Sequence, residues 1–246
     1  MAANVTATSV HARRFGLVYL ALAAVVGAAV GVSIVLGERG GHRTESWSAW
    51  RPTARPEVRT KEIAAHIADA YQTSPGQRVV DVVVGPPPNA PVLAQIATPP
   101  AGAGLGDRTK IYDASHARLY ILCGTGKNCS TTTSVPTTLL LRREGLELAL
   151  YTFKYVGDAE SVVTFLPGAT KQQPRNLLFF TRKDLEPQLS HPLATTLDES
   201  PVPDSAARSA EEARRVVRLT APHLFQFQIV PVSSSSDLLK LDPIWP

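Results

Sequence analysis

The chain has 246 residues, 44% of them hydrophobic, with 25 Lys and Arg against 21 Asp and Glu. The formal net charge of +4 sits at the start: with Arg13, Arg14, Arg39, Arg43 and Glu38 set aside, residues 44–246 hold 21 basic and 20 acidic side chains. A scattered, near-neutral pattern builds no long-range field of one sign, which argues against nucleic acid as a partner and against a polybasic membrane patch.

Residues 15–36 (FGLVYLALAAVVGAAVGVSIVL) form a run of 22 residues without charge or proline. As a helix such a run spans about 33 Å, enough for a hydrocarbon core of about 30 Å. A cleaved signal peptide has a core of about 7–15 residues and a small-x-small cleavage site. This run is longer, and although Ala29-Val30-Gly31 offers small residues, bulky Val32, Ile34, Val35 and Leu36 close it. The pattern for twin-arginine export stops at Arg13-Arg14-Phe15. A retained anchor is therefore expected, with the bilayer as the partner of residues 15–36. A count over the wider flanks, with Arg39, Arg43, Arg51 and Arg55, favours a cytoplasmic C-terminus. Long domains translocate largely regardless of charge, however, and the first helix is governed by its immediate flank, where Arg13 and Arg14 outweigh the Glu38–Arg39 pair. The expectation is a plasma-membrane protein with a cytoplasmic tail (1–14), a transmembrane helix (15–36), a juxtamembrane tether (37–56) and an extracytoplasmic domain (57–246).

Gly37, Gly40 and Gly41 loosen the tether, and Pro52 and Pro56 stiffen it. Trp47 and Trp50 can lie among headgroups or pack on the domain, and their distance from the apolar run favours packing. Ile63, Ile67 and Tyr71 at helical spacing predict a helix from 56 or 60 to 71. The Val-dense segment 78–84 reads as one strand, as does 92–97. Two further strands, 109–112 and 118–122, are joined by the turn Asp113-Ala114-Ser115-His116. The longest helix after the anchor is expected at 136–156, capped by Ser134 and ended by Gly157. Its polar residues Arg143, Glu147 and Lys154 share one narrow face, with Glu144 and Tyr151 beside it. So little polar circumference makes it the central buried helix, and Gly145 in its middle implies close approach by another element. Strands at 161–166 and 176–181 follow, then a Pro-rich surface loop at 186–207 and a short helix at 210–219. A terminal hairpin is expected from 223–230 and 238–241 around Ser233–Ser236. The order of elements gives an α+β fold: an antiparallel or mixed sheet sandwiched with one or two helices.

Cys123 and Cys129 are the only cysteines. The short Gly-containing loop between them allows a disulfide, which suits an extracytoplasmic domain. Without neighbouring His they fall short of a four-ligand metal site. Gly124-Thr125-Gly126-Lys127 fails the phosphate-loop spacing, with Ile121 and Asn128 at the required positions. Asn128-Cys129-Ser130 is a formal glycosylation sequon and a weak acceptor.

Asp113, Ser115 and His116 carry the residue types of a hydrolase, but three neighbours in one turn cannot converge on a common atom, and no G-x-S-x-G elbow exists. A turn in which Asp and Ser bond their own backbone is the better account. The six histidines are isolated, and Asp198-Glu199 and Glu211-Glu212 read as solvated charge, as do Arg214, Arg215 and Arg218. No cofactor or metal is expected. The Ala-, Val-, Arg- and Pro-rich usage suits a membrane-anchored envelope protein, and no motif identifies a family. The expected function is a non-catalytic binding or assembly module in the cell envelope, with a protein partner there. The alternatives are an anchored extracytoplasmic hydrolase using His116 or His223 and a membrane-recruited cytoplasmic adaptor with reduced cysteines.

Overall fold

Short β-branched runs separated by Pro and Gly breaks become strands, and the elements follow that punctuation. The computed structural model describes residues 46–74, 76–87, 92–99, 109–124, 138–167, 176–198 and 209–244. The apolar run, Ser134, Pro136, the glycosylation sequon and Cys129 lie outside them. Among the described residues no helix is long and apolar enough to cross a membrane.

Helix α1 (Pro56–Ala70) starts on a proline and buries Ile63, Ala64, Ile67 and Ala68 along one stripe. A small antiparallel pair, β1 (Gln72–Ser74) and β2 (Gln77–Arg78), turns at Gly76, whose φ of 81° suits glycine. β3 is Asp81–Val84. The expected single strand over 78–84 is thus broken. Val79 and Val80 leave the ladder and enter the core, with the Val79 N–H donating to the Tyr71 carbonyl at 2.9 Å. Burial of two valines beneath α1 outweighs two more ladder positions.

The remaining elements are β4 (Leu93–Thr98), β5 (Lys110–Asp113), β6 (Ala117–Cys123), α2 (Thr138–Tyr155), β7 (Ser161–Phe165), β8 (Asn176–Thr181), α3 (Glu186–Leu189), α4 (Ala210–Thr220), β9 (Leu224–Ser233) and β10 (Ser236–Pro243). Their fold is α+β. Eight strands form one mixed sheet in the order β3-β6-β7-β8-β9-β10-β4-β5. The β6–β7 pair, bridged by α2, and the β10–β4 pair are parallel; the other neighbours are antiparallel.

The turn at 114–116 does join β5 to β6, but the two strands do not pair. β5 sits at one edge beside β4, whereas β6 lies between β3 and β7. In a flat sheet those six places would separate them by about 29 Å, yet the three-residue connection reaches at most about 15 Å. The sheet therefore curls until its far strands approach. Its inner face fills with Ile96, Ile121, Phe165, Phe179, Leu239 and Leu241. The outer face of β6, β7 and β8 presents Tyr120, Leu122, Val162, Leu178 and Phe180 to the same cluster as Ile63, Leu146 and Phe153 of the helices. β7 and most of β8 are buried on both faces, which explains their unbroken apolar runs.

Helix α2 lies tightly on this outer face. A Cβ at Gly145 would stand 2.7 Å from Leu178 Cδ1 and 3.3 Å from Thr164 Cγ2, so glycine permits the approach. Arg182 donates to the carbonyls of Phe153, Val156 and Ala159, and Arg59 to that of Tyr155 at 2.8 Å. Two guanidinium groups thereby satisfy the last turn and its partial negative charge.

The segment expected as a surface loop contains α3 and a 3₁₀ turn at Leu193–Thr195, after which Thr196 and Leu197 are buried. Leu197 enters the helix-side core and ties this segment to the body.

Candidate functional site

Helix α2, helix α4 and residues 186–198 meet at one end of the helical layer, joined by the segment that leads into α1. The Trp47 indole N–H donates to the Gln188 carbonyl at 3.3 Å, and the Leu193 N–H to the Trp47 carbonyl at 2.6 Å. Trp47 and Trp50 meet the Tyr151 ring edge-on at 5.3 and 5.4 Å, and Trp50 stacks on His66 at 3.8 Å with 9° between planes. Glu62 accepts from the Thr53 and Ala54 N–H groups, which holds its carboxyl below the usual range. Of the two roles open to the tryptophans, packing on the domain is the one observed.

The face of α2 carrying Arg143 and Glu147 is covered as well. Arg143, 1% exposed, donates from Nε to Glu212 Oε1 at 2.7 Å and from Nη1 to Glu147 Oε2 at 3.0 Å. It also donates to the Tyr71 hydroxyl and, at 2.6 Å, to the Asp198 carbonyl. Tyr71 donates to Glu147 Oε2 at 2.7 Å. Burial works against the guanidinium charge, but Tyr71, Glu147 and Glu212 outweigh it and Arg143 stays protonated. The expectation of solvated charge at Glu211-Glu212 is corrected for Glu212, which is 1% exposed. Its helix is amphipathic, and the inner face that brings Val216 and Thr220 inward also carries Glu212 to Arg143. Ser209 caps α4 by accepting from the Glu212 N–H at 3.0 Å, and the Glu212 carboxylate accepts the Asp198 N–H at 2.9 Å.

Glu144, adjacent on the helix, is wholly buried, and neither carboxyl oxygen has a hydrogen-bond partner. Burial first, then repulsion from Glu147, pushes its carboxyl well above the ordinary range despite the attraction of Arg143. Both effects favour the neutral acid. Glu147 shifts in the same direction by burial, with Arg143 and Tyr71 pulling against it. Sequence spacing places Arg143 and Glu147 on one face. The pairing with Glu212 spans 69 positions, and its only local trace is the Ser209-x-x-Glu212 pattern.

Beside this ionic cluster opens a cavity of about 290 Å³, walled by α4, α3 and the turn after it, with Gln188, His191, Thr196, Arg215 and Arg218 in its lining. Arg215 donates to the Thr196 carbonyl at 3.0 Å and to Glu211 Oε1 at 3.2 Å.

The residues singled out as a hydrolase alternative lie elsewhere. Asp113 ends β5 and accepts the Ser115 N–H at 2.8 Å, which holds its carboxyl below the usual range; Ser115 and His116 are exposed in the same turn. His223 Nδ1 lies 3.9 Å from Asp184 Oδ2, with its ring tilted over Phe180 at 4.8 Å. No hydrogen bond or ion pair among the described residues joins His223 to that turn. Cys123 is buried at the end of β6. Comparison with protein-family models, with curated proteins and with solved structures finds no match to this chain.

Proposed function

We propose that the protein is a single-pass envelope protein, anchored by a transmembrane helix at 15–36, whose extracytoplasmic body is a non-catalytic binding or assembly module. In this reading the N-terminus is cytoplasmic, and the body is a sheet-plus-helix sandwich with α2 at its centre. The observation that carries it is how the body's charged groups are committed. Arg143 holds Glu147 and Glu212 inside the fold, and Asp113 is bound to its own turn. These groups brace structure and leave the cavity beside α4 as the feature open to a partner. The clamped segment at 47–54 supports the anchoring role, because it fixes where the tether joins the body. No cysteine among the described residues is free, which supports a Cys123–Cys129 disulfide.

Intact cells treated with a membrane-impermeant thiol reagent test the topology. Labelling of Cys123 and Cys129 after reduction, and none before, is the expected result, with the chain in the membrane fraction. Labelling only after lysis would place the body in the cytoplasm and favour the adaptor. A hydrolase would be indicated if the purified protein turned over an ester or peptide and lost that turnover, still folded, on His116→Ala or His223→Ala.

A further inference from the structure

The cavity beside α4 borders the aromatic clamp at Gln188, whose backbone carbonyl accepts from Trp47, and its lining has a definite chemistry. Arg218 is exposed and has no ion pair among the described residues. Arg215 is held at the cavity by the Thr196 carbonyl and is only partly offset by Glu211, which is 81% exposed. His191 places Nδ1 2.9 Å from the Pro187 carbonyl. Ser190 Oγ lies 3.0 Å from the same nitrogen, so the contacts of Nδ1 are local and Nε2 has no partner among the described residues. The Gln188 carboxamide has no partner, and its Oε1 is sealed from solvent. A ligand donor that reached this oxygen would satisfy it.

We propose that this cavity binds a small phosphate monoester, with Arg218 and Arg215 on the oxyanion and Gln188 on a hydroxyl of the organic part. Guanidinium forks match phosphate oxygens pairwise. Two of them carry more positive charge than one carboxylate would neutralise. A volume of about 290 Å³ lies at the small end of ligand sites and suits a phosphorylated polyol of few heavy atoms. This inference supplies a ligand for the binding module proposed above, and rests on that reading.

Calorimetry of the full chain in detergent micelles, titrated with glycerol 1-phosphate, tests it. Saturable binding is expected, weakened at least tenfold by Arg218→Gln, weakened less by Arg218→Lys and unchanged by Arg214→Gln on the same helix. Inorganic phosphate binds more weakly, since it lacks the polyol. No saturable binding would overturn the proposal, as would equal losses from R214Q and R218Q. Equal affinity for inorganic phosphate, or tighter binding of N-acetylglycine, would overturn the ligand class. Circular dichroism checks that each variant is folded, and if R218Q is not, R218K decides the result against R214Q. A silent titration removes the ligand while leaving the outcome of thiol labelling standing, so the two readings fail separately.

Discussion

Glu144 shows how one side chain ties folding to pH. Folded, it keeps its proton, because no donor reaches either oxygen and Glu147 repels a second negative charge. Unfolded, it releases that proton near the ordinary value of about 4.5. Above that point the unfolded chain binds fewer protons than the folded one, so stability declines as pH rises towards the elevated folded value. Below it the two states are protonated alike and the penalty vanishes. Glu144→Gln is neutral at every pH, and urea unfolding at acid and mildly alkaline pH checks the consequence. The wild type should lose up to about 1.4 kcal/mol per pH unit between the two values, with Glu147 contributing in the same direction. E144Q should show a shallower slope and greater stability at alkaline pH. The charged partners that set this behaviour were half legible. Helical spacing aligns Arg143 with Glu147, but nothing local says that Glu212 closes over them, since long-range packing decides which polar face is covered.

At the scale of elements, the contact between α2 and the sheet depends on an absent methyl group. Gly145→Ala gains about 1 kcal/mol in helix propensity. It also sets a Cβ 2.7 Å from Leu178 Cδ1 and close to Thr164, both fully buried. Overpacking of that kind costs about 1–3 kcal/mol, so G145A should be neutral to destabilising by about 2 kcal/mol. Adding Leu178→Val should recover part of any loss, as thermal melts of single and double variants would show. That glycine's role was readable, because a helix this apolar has no other reason to tolerate it. Most strands were readable as well, from β-branched runs and Pro or Gly breaks. Pairing was not. The short turn at 114–116 looks like a hairpin, and the order that sets five strands between β6 and β5 is decided by pairings far along the chain. The split of 78–84 likewise follows from α1 above it rather than from the valines themselves.

For the whole molecule, the segment before α1 belongs to the body. Trp47 is 8% exposed, and Trp50 stacks on His66. A chain beginning at Trp47 should fold, whereas one beginning at Pro56 should lose cooperative unfolding or melt far lower, because it forfeits both indoles. Loss of one buried large aromatic alone costs about 3–5 kcal/mol, a large share of a typical domain's stability. Differential scanning calorimetry of the two fragments decides this. The clamp escaped sequence reading in detail because aromatic stacking across two helices leaves no periodic signal. A last consequence comes from the register of β10, whose residues Asp237–Lys240 lie against Leu93–Ala97 as well as against β9. Among the described residues the β4–β5 ribbon pairs with the rest of the sheet through this stretch of β10. During synthesis that ribbon lacks its partner in the sheet until residues 237–240 have emerged. A polypeptide interrupted before β10 therefore keeps the β4 edge bare, the kind of exposed strand on which chains associate.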